Sequence, residues 1–277
     1  MKFALIACSL LGVLAAPLAM AMAAAPVSTV TDAQFAEVLK GEWRAPQNSA
    51  RDVYRHPQQT LQFFGLRPEQ TLIEITPGNG WYSELLAPLL KDRGQYIAAV
   101  VNPAASDYAR KAADSLKQKF AADPVHYGKA RVIEYDPQTP AFGKPASADT
   151  VLTFRNVHNW VLADDAPAMF KAFYTVLKPG GTLGVVDHRA KDGASVEAIK
   201  QSGYLPTDYI VKLAKDAGFE LAGQSEINAN PKDTKDYAQG VWTLPPTFRL
   251  GDQDRAKYAA IGESDRLTLR FIKPAGH

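Results

Sequence analysis

The chain has 277 residues, of which 46% are hydrophobic and 22% charged, and its formal net charge is +2. This is ordinary globular material, enough for one sizeable α/β core or two small domains, and we expect one domain over residues 26–277. The sequence contains no block of like charge that would indicate a nucleic-acid or membrane surface. The expected partner is therefore a small molecule.

The first 25 residues differ in kind from the rest. Lys2 is their only charge, residues 3–22 are almost entirely apolar, and the run 21–25 is alanine and methionine. This pattern predicts a secretory signal peptide over residues 1–25 and export, to the periplasm. An uncleaved membrane anchor is the alternative that the length of the apolar stretch allows. Cys8 is the only cysteine, so the mature chain would have no disulfide and no thiolate metal ligand.

A helical lead-in is predicted over residues 26–69. One helix should begin at the cap-like Thr31 and end at Gly41. Residues 48–64 should be helical in two pieces, because Pro57 can begin a helix but not lie inside one.

From residue 71 the sequence alternates between strand and helix, a pattern typical of a parallel sheet with right-handed crossovers. The predicted strands are 71–76, 96–101, 131–135, 150–154 and 182–187, and the predicted helices are 81–90, 103–120 and 166–177. We therefore predict an α/β fold with a Rossmann-like, mostly parallel sheet and helices on both faces. Residues 70–190 would form its ligand-binding half.

The C-terminal part, residues 191–277, should add a helix over 206–217 and strands over 219–227 and 266–272. These two strands would close the sheet as an antiparallel pair. The loop 228–263 between them is long, and loops of that length are usually functional lids or disordered. Residues 263–266 are predicted first as a solvated turn with local ion pairs, and second as part of a pocket mouth.

A glycine turn follows the first strand, in the segment 74–80. Its glycines allow a sharp turn and close approach of a ligand to the backbone, and the next helix offers free N–H groups. A turn without a ligand is the alternative on this evidence alone. A dinucleotide fingerprint would need a third glycine where this chain has Ser83, which argues against NAD.

The order of these residues resembles the first motif of class I S-adenosylmethionine-dependent methyltransferases. The match runs through Glu74, Thr76, Gly78 and Gly80, with Thr76 in place of the first glycine. The resemblance implies that Gly78 and Gly80 lie against the methionine part of the cofactor, S-adenosylmethionine.

Further positions extend the resemblance. Asn102 stands where the family has an acidic ribose ligand, and Asp136 resembles the residue that meets the adenine amino group. The segment 173–183, with its Lys-Pro-Gly-Gly turn, is very like the family's helix, turn and fifth strand. The segment 154–160 reads Phe-Arg-Asn-Val-His-Asn-Trp. In this string the chain resembles a group of exported bacterial proteins that are predicted to be methyltransferases.

Polar residues follow the fourth and fifth strands, at the edge where open α/β sheets bind ligands. Arg155 and Asn156 are assigned to the cofactor. His158 resembles the base that removes a proton from the acceptor hydroxyl in small-molecule O-methyltransferases, and imidazole titrates in the range that suits this role. Asp187 would orient His158, and His188 is an alternative base. A structural role for His158 is the competing interpretation, and no metal is assigned.

Several large side chains are expected to supply material for a substrate pocket or lid, with simple packing as the alternative. They are Tyr54, Arg55, Trp81, Tyr82, Tyr204, Tyr209 and Trp242.

The function predicted from these residues is methyl transfer from S-adenosylmethionine to a small molecule. The missing acidic ribose ligand and the export signal favour an alternative, a non-catalytic binding or scaffold protein of the cell envelope. A hydrolase is a remote third class, because the chain has no Gly-x-Ser-x-Gly elbow. The sequence predicts no oligomeric state.

Overall fold

The computed structural model describes residues 29–275, so the predicted signal segment 1–25 lies outside the described residues. Within this range no helix has the length and apolar character needed to cross a membrane. The strands are β1 (Thr71–Ile75), β2 (Gln95–Val101), β3 (Arg131–Tyr135), β4 (Ala148–Phe154), β5 (Leu177–His188), β6 (Glu220–Ser225) and β7 (Arg266–Ile272). The helices are α1 (Asp32–Leu39), α2 (Pro46–Ser49), α3 (Asp52–Arg55), α4 (Pro57–Phe63), α5 (Ser83–Leu90), α6 (Asp107–Ala122), α7 (Pro124–Tyr127), α8 (Val157–Leu162), α9 (Ala166–Val176), α10 (Val196–Ser202), α11 (Thr207–Asp216) and α12 (Arg255–Ile261).

All seven strands belong to one sheet, in the order β3-β2-β1-β4-β5-β7-β6. Strands β1 to β5 pair in parallel, whereas β7 is antiparallel to both β5 and β6. The prediction of a mostly parallel Rossmann-like sheet with an antiparallel C-terminal strand is confirmed. The carboxyl ends of β1, β4 and β5 and the amino end of β7 consequently meet at one edge.

Apolar side chains alternate between the two faces of the sheet, as the period of a strand requires. In β1, Ile73 and Ile75 join a buried cluster with α9 and α11, and Leu72 joins a second cluster with α1, α5 and α6. Helices therefore cover both faces of the central strands, which explains why the sequences of these strands are continuous apolar runs.

The lead-in is helical as predicted. Thr31 caps α1 through a reciprocal capping box with Gln34. The second helical region is divided at His56, which has a positive φ of 39° and ends α3 directly before Pro57 begins α4. A further turn, α2, precedes them.

Two boundaries differ from the prediction by more than two residues. The helix expected over 103–120 begins only at Asp107, because Asn102 caps a separate 3₁₀ turn, Pro103–Ala105, and Ser106 caps α6. Strand β5 starts at Leu177 rather than at residue 182, because Leu177 already pairs with Ala148.

Candidate active site

The glycine turn between β1 and α5 has positive φ angles at Thr76 (51°), Gly78 (59°) and Gly80 (77°). A Cβ added to Gly78 would meet no atom within 4 Å, so this residue opens onto free space. A Cβ on Gly80 would lie 2.9 Å from Cδ1 of Leu116 in α6. Gly78 therefore leaves room for a ligand, whereas Gly80 leaves room for a neighbouring helix.

Thr76 adopts the left-handed conformation that the family's glycine would adopt without strain. For a β-branched residue this conformation is an outlier. Its hydroxyl lies 2.7 Å from the phenol oxygen of Tyr135 at the end of β3. This hydrogen bond holds the strained residue in place.

Glu74 is buried beside the turn, with 2% of its surface exposed. Its Oε2 accepts hydrogen bonds from the hydroxyl of Tyr96 at 2.6 Å and from that of Ser83 at 3.3 Å. Burial raises the pKa of Glu74 to about 7, although both hydrogen bonds act in the opposite direction. The carboxyl group therefore titrates near neutrality, in the wall of a cavity that extends from the glycine turn to His158 and His188.

Asn102 and Asp136 follow β2 and β3 at the same edge of the sheet, but both are exposed and outside the walls of the main cavity. Oδ1 of Asn102 accepts the N–H of Ala104 at 2.9 Å, and Oδ1 of Asp136 accepts the N–H of Gln138 at 2.9 Å. Each side chain thus caps a local turn, and its role toward a cofactor stays a prediction.

Asn156 ties β4 to β1. Its Nδ2 donates to the carbonyl oxygen of Ile75 at 3.0 Å and to Oγ1 of Thr153 at 3.1 Å. It also lines the cavity, with 8% of its surface exposed. Its main action is to hold the carboxyl end of β1, and with it the glycine turn.

His158 and Asp187 form a buried pair. Nδ1 of His158 lies 2.9 Å from Oδ1 of Asp187, and the backbone N–H of His158 donates to Oδ2 at 3.3 Å. Asp187 is fully buried, and His158 lines the cavity with 5% of its surface exposed. Nε2 of His158 has no hydrogen-bond partner among residues 29–275. The carboxylate therefore fixes the ring and leaves Nε2 for a ligand.

His188 lies beside this pair, with its ring centroid 5.1 Å from that of His158. Its Nδ1 lies 2.6 Å from Oγ of Ser264. Burial lowers the pKa of His188 well below its usual value, and the neighbouring His158 and Arg155 act in the same direction. His188 is consequently neutral at physiological pH.

One ligand atom from each of His158, Asp187 and His188 lies within 4.8 Å of the others, which makes them the candidate metal group within the described range. However, His158 and Asp187 bond to each other through Nδ1 and Oδ1, and Nδ1 of His188 bonds to Ser264. We assign no metal to the group.

The main cavity has a volume of about 350 Å³ and extends from the glycine turn to His158 and His188. A small-molecule ligand needs a cleft of roughly this size. Tyr82 stacks on Phe154 in its wall, with ring centroids 3.5 Å apart. The long loop contributes Val241, Trp242, Pro245, Pro246 and Thr247 to the lining. The loop predicted as a lid or disordered segment thus forms part of the cavity wall.

Sequence reasoning identified part of this wall. Of the side chains expected to supply pocket material, Arg55, Trp81, Tyr82 and Trp242 line the cavity, whereas Tyr54, Tyr204 and Tyr209 do not. Asn48, Arg51 and Tyr108 line it unexpectedly. The one available signal for Arg51 was its spacing four residues before Arg55, which places both on one side of a helical turn.

The segment 263–266 contradicts the prediction of a solvated turn. Glu263, Ser264, Asp265 and Arg266 are each less than 5% exposed. Glu263 and Arg266 form a local ion pair, as predicted, but Asp265 binds the distant Arg189 and Glu263 also binds the distant Arg51. A short charged string looked solvated only because these partners are remote in sequence.

A comparison with protein families matches residues 73–185 to the family described as "Methyltransferase domain". A search of curated protein sequences finds no match.

Several solved structures share the fold. An S-adenosylmethionine-dependent methyltransferase from Aquifex aeolicus is 14% identical with a TM-score of 0.54, over 81% of this chain and 93% of that one. A putative sarcosine dimethylglycine methyltransferase from Galdieria sulphuraria is 13% identical with a TM-score of 0.55, over 83% and 88%. The [4+2]-cyclase SpnF is 16% identical with a TM-score of 0.56, over 86% of each chain. At such identities the likeness shows the fold alone.

The family match and the fold agree with the enzyme class and the cofactor predicted from the motifs. Residues 73–185 match the methyltransferase-domain family, and the chain has the fold of S-adenosylmethionine-dependent methyltransferases.

Proposed function

We propose that this protein transfers a methyl group from S-adenosylmethionine to a hydroxyl group of a small molecule, with His158 as the base. The observation that carries the proposal is the position of the His158–Asp187 pair, which shares one cavity with the glycine turn. The methyltransferase domain match supports the reaction class.

The cavity fits the cofactor at the glycine turn. Gly78 has open space where a side chain would project, as close approach of a ligand requires. Gly78 and the following backbone would hold the methionine part. The ribose end of the site departs from the family pattern, because Asn102 lies outside the cavity. Among residues 29–275, Glu74 is the carboxyl-bearing residue that lines it.

The chain itself has to position two groups and accept one proton. When bound, S-adenosylmethionine supplies a sulfonium methyl group: the acceptor oxygen bonds to the methyl carbon while the carbon–sulfur bond breaks and its electron pair stays on sulfur. Nε2 of His158 takes the hydroxyl proton. Asp187 keeps Nδ1 of His158 protonated through their 2.9 Å hydrogen bond, so that Nε2 is the basic atom. Most of the rate enhancement comes from positioning.

Calorimetry on the protein without residues 1–25 tests the first half of the proposal. We expect S-adenosylmethionine to bind with measurable heat. Folded protein that gives no heat at high micromolar cofactor would contradict it.

Release of S-adenosylhomocysteine with a panel of hydroxylated small molecules tests the second half. His158→Gln should lower the rate by about 10²–10⁴, the usual contribution of a general base, with cofactor affinity unchanged. His126→Gln is the matched control, because His126 lies away from the cavity and pairs with Asp123. Wild-type rates in the His158 variant would remove the histidine from the mechanism.

A non-catalytic binding protein is the second candidate. The observation that favours it is the exposed, turn-capping Asn102 where the family has a ribose carboxylate. It predicts that His158→Gln leaves the cellular phenotype of the wild-type protein intact. Loss of that phenotype in a stably folded variant would exclude this candidate.

The proposed place of action is the periplasm. Support comes from the apolar stretch 3–22 and the alanine-rich run 21–25. Mass spectrometry of protein from the periplasmic fraction should show a chain that begins near residue 26. Full-length protein confined to the membrane fraction would instead support the uncleaved anchor.

A further inference from the structure

Four arginines meet at the edge of the sheet where the cavity lies. Arg155 follows β4, Arg266 begins β7, and Arg51 and Arg55 come from the lead-in. We refer to these four residues as the arginine cluster. Glu263 is the direct ionic partner of three of them: Oε1 lies 2.5 Å from Nε of Arg51, and Oε2 contacts Arg266 and lies 3.5 Å from Nε of Arg55.

The cluster contains more positive charge than this glutamate neutralises. Within residues 29–275, no carboxylate forms an ion pair with Arg155. The nearby carboxyl groups are engaged elsewhere, because Glu74 accepts from Tyr96 and Asp187 binds His158.

Several N–H groups of the cluster are also without a partner. Nη2 of Arg51, Nε and Nη2 of Arg55, and Nε of Arg266 are buried and make no hydrogen bond within the described range. Burial lowers the pKa of Arg155 to about 10, and the guanidinium of Arg266 contributes to this. Unpaired buried charge costs free energy, so a site that keeps it is built to receive an opposite charge.

The cluster borders His158 and His188. Arg51, Arg55 and Arg155 line the main cavity together with His158 and His188. Arg55, Arg155 and Arg266 also line a small void next to it. In the sheet, Arg266 is directly opposite His188 in register, and the backbone N–H of Arg155 donates to β5. The positive charge is therefore on the β4–β5–β7 side of the glycine turn.

We propose that the arginine cluster binds a carboxylate of the methyl acceptor, which makes the acceptor a hydroxylated carboxylic acid. The guanidinium fork matches the two oxygens of a carboxylate, and such charge-assisted pairs are among the strongest hydrogen bonds. Bound there, the acid would direct its hydroxyl group toward Nε2 of His158. The identification of this ligand as the acceptor rests on the proposed methyl transfer, whereas carboxylate binding itself does not.

The test compares 4-hydroxybenzoate with 4-hydroxybenzamide, two probes of equal size that differ in charge. Calorimetry on the folded protein without residues 1–25 should show at least about tenfold tighter binding of the acid than of the amide. Arg155→Gln should remove most of this preference, as should Arg51→Gln, a second variant in the same cavity wall. Arg110→Gln, an exposed arginine on α6, is the matched control and should bind the acid like the wild type. Equal affinity for acid and amide, or an unchanged preference in both cluster variants, would overturn the proposal.

Cofactor binding to the same variants separates the two possible sources of the carboxylate. If S-adenosylmethionine binds Arg155→Gln within about threefold of the wild-type affinity, its own methionine carboxylate is bound elsewhere, as we expect. A loss of tenfold or more, with the preference for the acid retained, would assign the cluster to the cofactor and overturn the acceptor assignment. Failure of the wild type to bind S-adenosylmethionine, with the acid still bound, would reject the proposed function and leave the carboxylate site.

Discussion

Position 76 has a φ of 51°, in the left-handed region, and carries a threonine whose hydroxyl lies 2.7 Å from that of Tyr135. The left-handed conformation costs a non-glycine residue about 1–2 kcal/mol, and a neutral hydrogen bond returns about 1 kcal/mol. The two effects nearly cancel, which explains how the chain tolerates the departure from glycine.

Thr76→Gly and Thr76→Ala separate these effects, because both lose the hydroxyl and only alanine keeps the strain. We expect the alanine variant to be the less stable of the two by about 1 kcal/mol in urea denaturation. Equal stability of the two variants would show that the backbone is not strained at this position.

Glu74 gives the protein a pH dependence of known sign. Its pKa is raised by burial from 4.5 to about 7, so the folded state holds the proton more tightly than the unfolded chain. The contribution of Glu74 to the free energy of unfolding is therefore fully present below pH 4.5. This contribution is lost as the pH rises through 7.

Glu74→Gln removes the titration. Relative to the wild type, it should gain stability between pH 5 and pH 8 by roughly 2–3 kcal/mol, in chemical denaturation at both pH values. A difference between the two proteins that stays constant over this range would mean that Glu74 has an ordinary pKa when folded.

Single-residue roles were predictable where a motif fixes them and not where tertiary contacts do. The open space at Gly78 agrees with its place in the glycine turn. The role of Asn156 as a clamp on β1 could not be predicted, because its partner Ile75 is 81 residues away.

At the scale of elements, the strands were predicted to within a few residues because their apolar runs are fixed by burial on both faces of the sheet. Helices α8, α10 and α12 were missed. Each has only six or seven residues, too few for a helical period to be recognised, and isolated helices of this length are unstable without tertiary packing.

The long loop gave no regular pattern because long-range contacts order it. Asp233 accepts a hydrogen bond from Tyr204, and Asp265, just after the loop, binds Arg189. Gly240 lies close against the backbone of Ser202 in α10, with a φ of 54°. This contact holds the part of the loop that lines the cavity.

Gly240→Ala should displace the cavity wall, because its Cβ would meet the backbone of Ser202. We expect faster proteolysis within residues 228–263 and weaker binding of 4-hydroxybenzoate. Gly251→Ala is the matched control, with a φ of 64° and free space for a Cβ. If both variants are cleaved equally fast, backbone strain rather than the contact with α10 is responsible.

At the scale of the whole molecule, Glu263 joins the lead-in to the last strand. Its partners Arg51 and Arg266 are 212 residues and three residues away in sequence, respectively. The surrounding guanidiniums hold the pKa of Glu263 well below its usual range, so it is ionised at physiological pH. Such convergence of distant charges is what sequence reasoning could not predict at this site, whereas the strand order that brings His158 and Asp187 together was predictable.

Glu263→Gln should lower the free energy of unfolding by about 3 kcal/mol, because it leaves buried guanidiniums uncompensated. Glu226→Gln removes the partner of an exposed ion pair with Arg189 and should cost less than about 1 kcal/mol. Similar losses of unfolding free energy in both variants would show that the buried glutamate contributes no more to stability than the exposed one.

The place of β7 in the sheet also sets an order of assembly. β6 is an edge strand and pairs only with β7 in the described sheet, and β7 is the last strand in sequence among residues 29–275. β6 therefore has no strand to pair with until β7 has been synthesised and has docked on β5. Arg266 arrives with β7, so the arginine cluster is completed last. A chain shortened before residue 266 would lose β7, the strand partner of β6 and one arginine of the cluster together.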